Sequence, residues 1–306
     1  AVARDIQMTT NLYSNLHAVR SYLNLNNTET SGNAVDDPTL VNFINRASRA
    51  VDTYTRRKFY PRYETRFYDL IESKSIRLDD DLLALSALRT QNGACLVASE
   101  VIFLATGDNW NRGPWDKIVL TSDSGSTLQY SGTPQKANEV MGWWGYNEDY
   151  SNAWVDIGTS LLTNYTASAG SINLAGAGSF GTNASDVLGN HPRVAVGDLL
   201  RIGEQYFNVL ASGSQGNQIA LVAPYANGTS GTSAGSGASI ARFFPEPDIE
   251  WATRRMAAWL YAGRDTPYQT KTAFIQLGTL EIPMGMAVDI KQKLDKFKRR
   301  TFQTYP

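Results

Sequence analysis

Few residues in this chain are spaced for chemistry. Gly176, Gly178 and Gly181 spell the GxGxxG of a dinucleotide loop. Such a loop works because a helix follows at once and its N-terminal amides hold the pyrophosphate. Here Thr182-Asn-Ala-Ser-Asp186 and then Gly189-Asn-His-Pro192 follow, which is poor helix material. Asp79, Asp80 and Asp81 could offer oxygens to a hard cation. Consecutive carboxylates rarely converge on one ion without distant partners, so a solvated turn is expected. Glu148 and Asp149 are neighbours on a loop and point apart, unlike the paired acids of a glycosidase. No serine in a Gly-x-Ser-x-Gly elbow is followed by plausible partners.

Cys95 is the single cysteine. It allows no intrachain disulfide and fits none of the multi-cysteine zinc patterns. His17 on a predicted helix and His191 ahead of Pro192 read as surface or cap histidines, since acid–base work needs partners nearby. The expected catalytic, cofactor-binding and metal residues are therefore none, and the chain is expected not to be an enzyme.

Two clusters remain. Trp143, Trp144 and Tyr146, with Tyr150 and Trp154 after them, could stack on a sugar, but aromatics of this kind also anchor small β-domains and subunit interfaces. Trp143, Trp144, Tyr146 and Trp154 are expected in the core or at a subunit contact. Near the C-terminus Lys291, Lys293, Lys296, Lys298, Arg299 and Arg300 make a strongly basic segment, with Leu294 and Phe297 interleaved. That interleaving suggests a helix packed on one face and docked on an acidic partner, not a phosphate ladder.

The elements that must position these residues fall into three blocks. Residues 94–244 hold 20 of the 25 glycines and two of the lysines, with 6 basic and 11 acidic residues, although the whole chain of 306 carries only −1. This shift marks a Gly/Ser/Thr/Asn-rich β-region inserted between helical flanks. The expected fold class is α+β: a helical bundle built from the N- and C-terminal flanks with a small hairpin, plus a large inserted all-β region. The expected parts are 1–93, 94–244 and 245–306.

In the first part Ser14 reads as an N-cap before Leu16, Val19 and Leu23 at helical spacing. Asp37-Pro38 opens a second helix with Leu40, Phe43, Ile44, Ala47, Val51 and Tyr54 as its apolar stripe, while Asn45, Arg46, Arg49 and Arg56 face away. Tyr63–Leu70 and Lys74–Leu78 read as a short hairpin. Strands are expected at Val101–Ala105, Lys117–Leu120, Glu139–Trp144, Leu199–Ile202, Gln205–Leu210, Gln218–Val222 and Ser239–Phe243, with a hairpin around Gly203. Asn227–Gly237 reads as a polar loop. A third helix starts at Pro245–Asp248, buries Ile249, Ala252, Met256, Trp259 and Leu260, and ends at Gly263. A strand-like Phe274–Ile282 and a last helix over Val288–Arg300 follow.

The near-neutral charge is a poor match for broad nucleic-acid binding, which needs a positive field. No apolar run approaches the roughly 20 residues of a membrane span. The start, Ala1-Val-Ala-Arg-Asp5, lacks the pattern of a secretory signal, so the expectation is an intracellular product with no membrane partner.

These blocks, in this order, resemble the head-to-tail adaptor (connector) family of tailed bacteriophages. The residues that carry the resemblance are Leu16–Leu23 and Asp37–Phe59, with its Ala47-Ser-Arg-Ala-Val-Asp52 core. Thr65–Asp69, Ile76–Leu83 and Gly142-Trp-Trp-Gly-Tyr146 follow, then Asp248–Tyr261 with Arg264-Asp-Thr-Pro267, and Asp289–Arg300. They cover both flanks, about half of the chain; the β-insertion departs from the shortest members, and its role is not carried over.

The resemblance implies a non-enzymatic virion protein at the neck, assembled in the bacterial host cytoplasm. It implies a homo-oligomeric, twelve-fold ring bound to the portal protein, lining the channel through which DNA passes without sequence-specific binding. The ring would offer the next surface to a stopper, tail-terminator or tail protein, with no cofactor. In that setting Lys291, Leu294, Lys296, Phe297, Lys298, Arg299, Arg300, Phe302 and Tyr305 are the expected portal-docking residues. The alternatives are another connector, a tail or baseplate component, or a glycan-binding β-domain on a helical anchor.

Overall fold

Helix spacing and capping set the first two elements. The structure, a computed structural model, describes residues 11–25, 37–91, 95–96, 100–105, 113–123, 125–166, 172–175, 194–203, 205–211, 218–219, 221–224, 233–264, 271–274, 278–281 and 286–299. Helix α1 (Leu16–Tyr22) is capped by Asn15, one residue after the expected Ser14, and the Asn15 side chain accepts from the Ala18 amide at 2.8 Å. Helix α2 (Asp37–Thr55) buries Leu40, Val41, Ile44, Ala47 and Val51, a stripe at the 3.6-residue period. Arg20, itself buried, reaches Asp37 at the start of α2 at 3.2 Å.

Strand β1 (Arg62–Tyr68) and strand β2 (Ser75–Thr90) are not hairpin partners. With β3 (Cys95–Leu96), β4 (Val101–Leu104), β5 (Trp115–Leu120) and β6 (Asn138–Trp144) they build a six-stranded antiparallel sheet in the order β1-β6-β2-β5-β4, β3 lying beside β2. Strand β6 separates the two: Arg62 pairs with Trp144 on one side, and Leu82 pairs with the same Trp144 on the other. The expected hairpin therefore gives way to a longer-range pairing. β6 buries alternate residues Asn138, Val140, Gly142 and Trp144, which seats the Trp144 ring in the sheet's core. The pairing of β2 with β6 shifts register at Leu82/Ala84 and Leu85/Ala87. There a Cβ on Gly142 would lie 2.3 Å from the Ala84 carbonyl oxygen, so only glycine lets β6 pass. Asp79–Asp81 lie inside β2 and not in a turn.

A second sheet follows. Its strands are β7 (Trp154–Ser160), β10 (Leu199–Ile202), β11 (Gln205–Ala211), β13 (Leu221–Pro224) and β15 (Ser239–Phe243), ordered β13-β11-β10-β15-β7. Short pairs join β8 (Tyr165–Thr166) to β14 (Ser233–Ala234), and β9 (Ile172–Asn173) to β12 (Gln218–Ile219). Ile202 pairs with Gln205 across a turn in which Gly203 has φ +60, as the Gly203 hairpin requires. Ile157, Leu161, Leu200, Ile202, Phe207 and Ile240 form this sheet's core.

Helix α3 (Pro247–Ala262) ends at Gly263 as expected. Strands β16 (Lys271–Phe274) and β17 (Gly278–Glu281) form a two-stranded ladder where one strand was expected. Helix α4 covers Val288–Asp295, shorter than the expected span to 300. The fold is thus mixed α and β, with four helices and two main antiparallel sheets among the described residues. Leu16 and Val19, Ile44 and Val51, Ile249 and Met256, and Ile290 and Leu294 bring all four helices into one apolar cluster. The first sheet draws β1 and β2 from before position 93 and β4, β5 and β6 from after it, so its hydrogen bonds cross that expected boundary.

Candidate functional site

The basic C-terminal segment is positioned by its apolar side. Ile290, Leu294 and Phe297 are at most 2% exposed. The chain leaves the helix after Asp295, which turns the Phe297 ring edge-on to Phe59 (5.6 Å) and Tyr146 (5.7 Å). Burying each such side chain contributes about 1.5–3 kcal/mol. Lys293 and Lys296 meet Asp248 at the start of α3 at 3.5 and 2.6 Å, but both lysines are more than half exposed. Exposed pairs contribute about 0–1 kcal/mol, so the apolar contacts hold the helix and the lysines decorate it. Leu294 and Phe297, expected as partner anchors, are instead occupied in the chain's own core. Lys291, Lys296 and Lys298 stay exposed. Arg300, Phe302 and Tyr305 lie outside the described residues.

Beyond the helix the backbone N–H of Arg299 donates to the Thr55 carbonyl at 2.9 Å, which ties the chain end to the end of α2. Its guanidinium reaches the Asp80 carboxylate and the Leu78 carbonyl, both at 3.3 Å. Asp80 also accepts from Arg62 at 2.5 Å and Arg66 at 2.9 Å. Burial alone would raise the Asp80 pKa; Arg62 and Arg66 outweigh it and hold the carboxyl below its ordinary value. Asp81 is bound by Arg57 at 2.7 Å through one oxygen, while the other is buried with no hydrogen-bond partner. Burial pushes Asp81 up to about 6, against the pull of Arg57 and Arg299. The three aspartates expected in a solvated turn are thus half of an ion network. The signal for it was present: Arg62, Glu64 and Arg66 recur at period 2, which places them on one face of a strand.

The aromatics divide by face. Trp144 is fully buried, donates from Nε1 to the Glu64 carbonyl at 3.0 Å, and carries the Arg66 guanidinium over its ring at 4.3 Å. Trp143 on the opposite face meets Tyr206 at 4.4 Å, and Trp154 meets the same tyrosine at 5.2 Å. Trp143 thus joins the first sheet to the second, while Trp154, itself on β7, packs within the second. Tyr146 lies against Phe59 and Phe297, and its hydroxyl donates to Glu148 at 3.0 Å. All four aromatics, expected in the core or at a subunit contact, pack within the chain.

Asp149 accepts from Ser151 and Asn152, while the Glu148 amide donates to Glu246, so the two acids serve separate turns. Cys95 is exposed on β3. His17 lies on α1, half-buried. The 176–181 glycine motif and His191 lie outside the described residues. Among the described residues no group of three or more His, Cys, Asp or Glu is placed to hold a metal ion, and no helix is long and apolar enough to cross a membrane.

No family model matches the chain, and no curated protein matches it. Among solved structures it is similar to a chain in the neck of an empty GTA particle computed with C6 symmetry. The identity is 16% and the TM-score 0.30, over 44% of this chain and 67% of that one, a likeness too low to establish a shared fold.

Proposed function

We propose that the chain is a non-enzymatic neck protein of the head-to-tail adaptor type, forming a ring beneath the portal and presenting a surface to the next tail-side component. One observation supports this reading above the others. The segments that carry the resemblance are scattered from one end of the chain to the other, yet they pack into one body. Val51 and Phe59, Tyr146, Ile249 and Met256, and Leu294 and Phe297 share a single apolar cluster. A ring subunit needs such a rigid centre, because each heterologous contact must repeat without drift for the ring to close.

In this reading the exposed Lys291, Lys296 and Lys298 meet an acidic portal surface, where charge sets register and encounter rate. The second sheet packs on the helical centre through Leu199, Tyr206 and Phe243, and DNA passes a lumen that does not grip it.

Mixing the purified chain with its portal ring and imaging by negative stain tests the proposal. The expected outcome is a ring seated on one end of the portal, weakened by Lys291→Glu, which leaves the core untouched. Portals that stay bare at every mixing ratio would overturn it. Deleting the whole of α4 is a poor test, because it strips Ile290 and Leu294 from the core.

A further inference from the structure

Arg49 and Thr53 on the outer side of α2, and Arg56 just past its end, line two joined cavities, Arg49 only the wider one. The wider, about 810 Å³, is walled by Ala50, Tyr54, Met286 and Lys298. The narrower, about 410 Å³, is walled by Arg57, Lys58, Arg62, Arg66, Asp79 and Asp80. Thr53, Arg56 and Arg299 belong to both. Eight cations face three carboxylates, Asp52, Asp79 and Asp80, along this groove. Counting the acids just behind it (Glu64, Asp81 and Asp295), which pair with Arg62 and Arg66, Arg57 and Lys298, still leaves eight against six. A local positive excess in a chain of net charge −1 asks for a counter-charge.

Arg56 is the cation left over. It is exposed, and no carboxylate among the described residues lies within ion-pair range of it. It also stands at φ +56, immediately past the last residue of α2. That left-handed position favours glycine, so a side chain there is strained, and strain of this kind gathers where a side chain has a task.

Guanidinium groups recognise carboxylates and phosphates equally well. Two features select between them. Ala50, Tyr54 and Met286 give the wider cavity an apolar wall, for which a phosphate backbone has no use. Asp79, 68% exposed, stands at the narrower one and repels closely spaced phosphates. We infer that the groove is a docking site for an acidic polypeptide segment that carries an apolar side chain beside its carboxylates, with Arg56 gripping it where the cavities join. The adaptor reading supplies the partner, the portal; the chemistry of the groove stands without it.

Fluorescence anisotropy of a labelled peptide of alternating Glu and Leu, titrated with the full chain beside a labelled DNA duplex, tests the site. The peptide is expected to bind, with affinity that falls as salt rises. Arg56→Gly should weaken it about tenfold, the loss of one charge-assisted pair. The thermal midpoint should not fall, since glycine suits this backbone. Peptide binding unchanged in Arg56→Gly, no peptide binding at all, or tighter Arg56-dependent binding of the duplex would each overturn the inference. No portal is present in this measurement, so failure here leaves the ring images to decide the adaptor reading on their own.

Discussion

Both sheets close over long stretches of chain, but by different means: in the first, β6 returns to part β1 from β2, while in the second β15 returns to lie between β7 and the turn-linked pair β10–β11. β2 takes β6 on one edge and β5 on the other, so that Trp144 lies beside Leu82 and Val119 beside Ser75. The second sheet starts and ends side by side, Trp154 pairing with Phe243, and its middle strands are linked by the tight Gly203 turn. In the second sheet turn chemistry fixes only the β10–β11 pair. The first is ordered by what fits: a buried indole, a glycine where a carbonyl intrudes, and an ion network that β1, β2 and the chain end build together. Long-range order of this kind is the more exposed to single substitutions, because each device serves several strands at once.

The strongest test of that contrast is Trp144→Ala. It should cost about 3–5 kcal/mol, read from urea unfolding by circular dichroism; a loss below about 1 kcal/mol would mean that the indole does not key β6 into place. Gly142→Ala should follow at about 1–3 kcal/mol, since the added methyl meets backbone and not a movable side chain.

The ion network predicts a pH dependence confined to the first sheet. Asp81 titrates near 6 in the folded chain, above its unfolded value, so the folded state holds that proton more tightly. Its contribution is fully present below about pH 4 and is lost as pH rises through about 6. Asp80, held low by its arginines, acts in the opposite sense and matters only on acidification below about pH 4. The urea midpoint should therefore drop between pH 4 and 6.5 by an amount worth about 1–2 kcal/mol. In Asp81→Asn this slope should flatten; an unchanged slope would place the titration elsewhere. The smallest effect is expected at the seam between the helices and the second sheet. Asn15 caps α1 and also donates to Asp198 at 3.0 Å. Asn15→Ala should cost about 1 kcal/mol, visible as a lowered thermal midpoint with both sheets retained.

Local pattern and turn chemistry made much of the chain legible. The start of α2 at Asp37, its outward arginines, the stop at Gly263 and the strands from 199 to 243 follow from spacing and from glycine. β7 carried no such mark, because Trp154–Ser160 buries Ile157 without a clean alternation. The docking residues were legible as a basic segment, but not as one whose Leu294 and Phe297 turn inward.

Charge periodicity, helix stripes and the glycine-rich middle are properties of neighbours in the chain, and the sequence settles them unaided. Which strand separates β1 from β2, and whether three consecutive aspartates meet water or arginines, depends on groups brought together from positions up to two hundred and nineteen residues apart, as Arg299 and Asp80 are. Only the closed structure decides those, because burial, and with it the strength of each charge, is set by the partners that the fold delivers.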